Sequence, residues 1–183
     1  MRIFKMIRLF ALLLIFALGS EIAFAKVFYS KDEALKLAFG EQASVETLSL
    51  FPTDEEVSQI EQLSKVKLES KMFSFYVGKQ QGSVLGYAAI ESHTVRTQPE
   101  TLLILLDANG NLRSVFTLAF HEPPDYQPPE RWFAQLIGHS LDQLSFDRDV
   151  QAVAGATLST RAALNSARKV LAIFQVMFHA QTH

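Results

Sequence analysis

The chain has 183 residues, enough for one domain with its own core and too short for two of ordinary size. It contains no cysteine, which excludes disulfides, zinc–thiolate and iron–sulfur centres, and covalent c-haem held by its own side chains. A formal net charge of -2 with both signs interspersed and no basic cluster argues against a nucleic-acid partner.

At the N-terminus, Arg2, Lys5 and Arg8 precede an apolar run over residues 9–18 (LFALLLIFAL), and Ala23-Phe24-Ala25 places small residues where a signal peptidase reads. This predicts a signal peptide over 1–25, export to a bacterial periplasm, and a mature chain from Lys26 to His183. The alternative is an uncleaved membrane anchor. The run is short of the ~20 residues a span needs, and Gly19, Ser20 and Glu21 break it.

Ser30 ahead of Asp32 to Phe39, with Gly40 behind, predicts a short capped helix. Thr53-Asp-Glu-Glu56 is a capping box, and Val57, Ile60 and Leu63 extend it into a second helix, roughly 54–65. The period then changes to two. Met72, Phe73, Phe75, Tyr76 and Val77 predict a strand, 78–83 a loop, and Val84 to Val95 a return strand.

The apolar run 101–106 (TLLILL), the turn Asp107-Ala-Asn-Gly110 and the segment Leu112 to Phe120 predict two more antiparallel strands. Pro123, Pro124, Pro128 and Pro129 bound an irregular segment that cannot join a central sheet. Glu130 to Ile137 reads as a helix and 141–144 as a short turn. The expected fold is therefore one α+β domain over 26–183, an antiparallel sheet of about four or more strands with flanking helices.

The stretch 151-QAVAGATLSTRAAL-164 carries the candidate chemistry. Leu164, Ala167, Leu171, Phe174 and Phe178 form the apolar stripe of a terminal helix that must start near Ser159. Thr157, Ser159 and Thr160 crowd its first turn. One reading is plain capping, a hydroxyl oxygen accepting from a free helix N–H. The other is a phosphate site, because free N–H groups and the helix dipole favour an anion there and Gly155, between Ala154 and Ala156, permits close approach.

With an export signal, the sheet, the segment 119-AFHEPPDYQPPERWFAQLIG-138 and then Ala154-Gly-Ala-Thr-Leu-Ser159 leading into a helix, the chain resembles the FMN-binding domain family. Members include a subunit of the sodium-translocating NADH:quinone reductase and one of the Rnf complex. The match spans roughly residues 70–178. In that family a segment [ST]-G-A-T-x-[ST] receives FMN through a phosphoester, made by a flavin transferase with FAD as donor.

The resemblance implies a cofactor-binding set of Gly155, Ala156, Thr157, Ser159 as acceptor, Thr160 and Arg161, with His121 and Glu122 near the flavin. Ala154 stands where many members carry a hydroxyl, and Gln151 where they carry an acidic residue. The resemblance further implies covalent FMN, electron transport between cytochromes or quinone-linked complexes of the membrane, and a carrier rather than a substrate-specific enzyme. The other expectation is a flavin-free accessory module that keeps the fold.

Other motifs lead less far. His121-Glu122 lacks the second histidine of a zinc protease helix, so no metal is expected. His93, His139, His179 and His183 read as scattered surface histidines, and Ser64-x-x-Lys67 and Ser166-x-x-Lys169 as chance matches to a serine–lysine pair. Trp132 and Phe133 read as core, with Tyr126 the better candidate for stacking on a ring.

Overall fold

A computed structural model describes residues 26–179. The expected signal peptide lies outside the described residues. Strand β1 (Lys26–Val27), helix α1 (Lys31–Phe39), strand β2 (Ser44–Leu50) and helix α2 (Asp54–Ser64) come first. Strands β3 (Phe73–Gln80), β4 (Ser83–Thr94), β5 (Pro99–Leu106) and β6 (Leu112–Phe120) follow, and helix α3 (Thr157–His179) is last. All strand neighbours are antiparallel, in the order β1-β6-β5-β4-β3-β2. The α+β sheet with flanking helices is thus present, with β1 and β2 added at its two edges.

Local chemistry sets the helix starts. In α1, Ser30 accepts from the Glu33 N–H while the Glu33 carboxylate takes the Ser30 N–H; Thr53 and Glu56 do the same for α2. The β3–β4 connection is tighter than the expected loop. Gln81 and Gly82 both have positive φ, 50° and 82°, the twist a two-residue hairpin needs. Gly110 closes the β5–β6 turn at φ 86°, where an added Cβ would lie 2.1 Å from the Phe174 ring.

The sheet is covered on both sides. On one face, Leu102, Ile104, Leu106 and Val115 pack against Ala163, Ala167, Val170 and Ile173 of α3, with Ile60 of α2 in the same core. On the other, Ala34, Leu35, Ala38 and Phe39 of α1 cover Ala88, Leu103 and Leu105. This alternation along β5 explains why its sequence is a continuous apolar run. The segment expected as a helix at 130–137 is a 3-10 helix, Glu130–Leu136. It inserts Trp132, Phe133 and Leu136 into the larger core, as expected of core aromatics.

Candidate functional site at the start of the last helix

Helix α3 begins at Thr157, two residues earlier than the sequence suggests. Ahead of it, Gly155 adopts φ 87° and the Ala156 N–H bonds the Val153 carbonyl at 3.1 Å, which turns the chain into the helix. Around Gly155 there is room: an added Cβ would meet only the Asp125 carbonyl oxygen, at 3.9 Å.

The three hydroxyls do not cap. Thr157 Oγ1 donates to the Val153 carbonyl at 3.3 Å, and Thr160 Oγ1 to the carbonyls of Ala156 and Thr157 at 3.0 and 3.1 Å. Ser159 Oγ donates to the Tyr126 carbonyl at 2.5 Å. The expectation that a hydroxyl accepts from the first turn is therefore corrected. Each spends its proton on a carbonyl, and among the described residues no side chain accepts from the N–H groups of Thr157, Leu158 or Ser159. Thr157 is exposed and Leu158 half exposed, so this part of the turn faces outward.

Ser159 itself is 1% exposed and Thr160 is fully buried. Of the hydroxyls, only that of Thr157 is open to solvent. Arg161 is also exposed, but it points into a different place. With Arg148, Arg168 and Asn165 it lines an open groove of about 1140 Å³ between α2, α3 and residues 140–148.

The proline segment is fixed by Glu122. This carboxylate is 6% exposed, and its Oε1 accepts from the backbone N–H groups of Arg96, Thr97 and Gln98 at 3.0, 2.5 and 2.8 Å. Those bonds, that of Thr97 foremost, hold its pKa below the usual glutamate value against the opposing effect of burial. Arg96 in turn donates to the Tyr126 hydroxyl at 3.2 Å and lies 5.7 Å from the ring centroid. A continuous path thus runs from Glu122 through the β4–β5 turn to Tyr126 and on to Ser159.

His121 is half-buried beside this path, with its backbone N–H on the Pro99 carbonyl at 3.1 Å. Trp132 is buried, its indole N–H bonded to the Gln151 carbonyl at 2.6 Å, so it pins the approach to the helix. Gly155, Ala156, Thr157, Ser159 and Thr160 are together with Tyr126, and Glu122 reaches them through Arg96. Arg161 is separate, on the groove side.

One polar group was not legible in the sequence. His93, expected at the surface, has an 18% exposed side chain; its Nε2 lies 3.0 Å from Glu100 Oε2 and its Nδ1 3.0 Å from Ser166 Oγ. Glu100 is fully buried, and among the described residues its Oε1 has no partner. Ser166 thus contacts histidine, while Lys169 pairs with Glu91, so the two do not form a serine–lysine pair. Only the register His93↔Glu100 across β4 and β5 brings the acid and the imidazole together.

Among the described residues no group of three or more histidine, cysteine or acidic side chains could hold a metal ion, and no helix is long and apolar enough to cross a membrane. No protein-family model matches the chain, and no curated protein matches it significantly.

Proposed function

We propose that this chain is an exported flavoprotein that holds FMN at the start of α3, through a phosphoester at Ser159, and passes electrons between membrane or periplasmic redox partners. The observation that carries the reading is the first turn of α3. Its hydroxyls turn to carbonyls, its N–H groups have no side-chain acceptor among the described residues, and Gly155 leaves open space beside them. Such a turn offers several N–H donors and the positive helix end to a phosphate.

When bound, the flavin would supply the redox chemistry; the chain supplies position and electrostatics. The N–H groups of Thr157 and Leu158 would hold phosphate oxygens, Thr157 Oγ1 keeps the turn in shape, and Arg96 brings a positive charge to Tyr126. Ser159 fits the acceptor role only after one change. Its oxygen is buried and donates to the Tyr126 carbonyl, so the proline segment must lift before that oxygen is reachable. Maturation by a flavin transferase would then be coupled to opening of residues 123–129.

The same buried hydroxyl favours a second reading, a flavin-free module that keeps the fold and assembles with a redox complex. Intact mass of the chain coproduced with a flavin transferase, with absorbance before and after acid denaturation, separates them. One added FMN that stays with the denatured chain and disappears in Ser159→Ala supports the first reading. Colourless chain of unmodified mass overturns it in favour of the second. Colour lost on denaturation leaves reversible FMN binding and removes the phosphoester.

A further inference from the structure

The open groove of about 1140 Å³ between α2, α3 and residues 140–148 takes no part in the proposed flavin chemistry. Side chains that stay exposed line it, among them Gln59, Gln62, Arg161 and Asn165, and its inner wall carries the buried Leu164 and the half-buried Arg168. Arg161, Asn165 and Arg168 stand at i, i+4 and i+7 of α3, so one face of the helix presents all three to the groove. Two turns, ~10 Å along the helix, separate the arginines.

Arg168 is the fixed point. Its Nε, Nη1 and Nη2 each donate to one carbonyl, those of Ser64, Leu144 and Leu63, which leaves one N–H on each terminal nitrogen for a ligand. No carboxylate pairs with it among the described residues. Burial disfavours its charge, and Asp142, the acid that offsets this, is itself bound to Arg148 at 3.1 Å and to the Ser140 hydroxyl at 2.6 Å. A half-buried cation held only by neutral oxygens is stabilised by an anion that enters beside it. One N–H on each of two adjacent nitrogens matches the two oxygens of a carboxylate.

Arg161 supplies a second positive charge. It is exposed, and its side chain makes no hydrogen bond or ion pair among the described residues. Around the groove, Lys65, Arg148, Arg161 and Arg168 face only Asp142 and Asp147, so the lining is positive although the chain has a formal net charge of -2. Between and opposite the arginines stand Asn165, Gln59 and Gln62, whose amides also make no side-chain hydrogen bond among the described residues. An amide both donates and accepts, as a hydroxyl does, so the stretch between the two charges suits a hydroxylated chain.

We propose that this groove binds a small hydroxylated dicarboxylate, a sugar acid oxidised at both ends, with one carboxylate on Arg168 and the other on Arg161. Its hydroxyls would meet the Asn165 amide and those of α2. The site does not depend on a flavin.

The test titrates galactarate, adipate and gluconate into the full chain, with affinity read by calorimetry and location by NMR of the backbone amides. All three acids have six carbons; adipate lacks the hydroxyls and gluconate the second carboxylate. The expected result is saturable binding of galactarate with shifts at residues 59–65, 140–148 and 161–168, and about threefold weaker binding of each of the others, the size of one exposed ion pair or of a net hydrogen bond. Arg161→Gln should weaken galactarate about threefold and leave gluconate unchanged, and Asn165→Ala should weaken galactarate and leave adipate unchanged. Both residues are exposed on α3, so these substitutions leave the core intact. Unshifted amides at millimolar galactarate overturn the groove as a site. Equal binding of gluconate overturns the second carboxylate, and equal binding of adipate overturns the hydroxyl contacts. Inorganic phosphate binding as tightly as galactarate overturns the dicarboxylate as the ligand class.

Discussion

The Ser159 hydroxyl donates to the Tyr126 carbonyl at 2.5 Å, which ties the first turn of α3 to the surface segment between Pro123 and Pro129. This bond joins two parts of the chain 33 residues apart and closes the one hydroxyl the proposed cofactor chemistry requires.

Ser159→Ala should therefore do two separable things. It removes a buried hydrogen bond and leaves the Tyr126 carbonyl without its donor, a loss of about 1–3 kcal/mol, read as a lower urea midpoint at unchanged slope. It should also abolish covalent flavin. Thr160→Ala should lose comparable stability yet keep the flavin; intact mass of both variants checks this, and loss of flavin in Thr160→Ala alone would move the acceptor by one residue.

Glu122 should make the chain acid-sensitive through its clamp on the β4–β5 turn. Its folded pKa lies below the ordinary value because three backbone N–H groups favour the charged form. The stability it adds is full above the unfolded glutamate pKa, near ~4.3, and is lost as pH falls through the lower folded value. Glu122→Gln keeps an acceptor but not the charge. It should cost about 1 kcal/mol at pH 7 and show a smaller further loss between pH 5 and pH 3 than the parent chain, measured by urea denaturation at each pH.

The pair His93 and Glu100 should show strong coupling. His93→Ala removes from the fully buried Glu100 its one side-chain partner among the described residues, and a loss of about 3 kcal/mol is expected. Replacing both residues with leucine removes the buried polar groups together and should be milder than His93→Ala alone. A double substitution at least as damaging as the single one would show that His93 acts through packing instead.

Arg168 should be as important to the core as an apolar residue. Its guanidinium donates to the carbonyls of Ser64, Leu63 and Leu144, closing the end of α2 against α3, and burial lowers its pKa. Arg168→Met keeps much of the side chain's length but abandons three carbonyls, so a loss of about 2–4 kcal/mol is expected in the same urea assay. Arg168→Lys should recover only part of it, because an ammonium cannot reproduce the planar fork.

Much of the fold was legible because its signals are local. Ser30 with Glu33, and Thr53 with Glu56, declare helix starts within four residues. The apolar run of β5 and the Asp107 turn declare a hairpin in the same way. Strand β2 gave no such signal. Six of its seven residues are exposed, so neither face carries the period-two pattern that marks a half-buried strand. The Glu130–Leu136 segment showed helical apolar spacing, and that spacing is met by a 3-10 helix packed against β6.

At the candidate site the sequence by itself determined a small-residue bend leading into a helix with three hydroxyls in its first turn, because glycine and hydroxyl positions act on their own neighbours. Only the tertiary structure decided what those hydroxyls touch. The Tyr126 carbonyl over Ser159, the loop held by Glu122 and the burial of His93 all depend on segments far apart in the chain. Such contacts are selected by how the sheet and helices pack as a whole, which no short stretch of residues encodes.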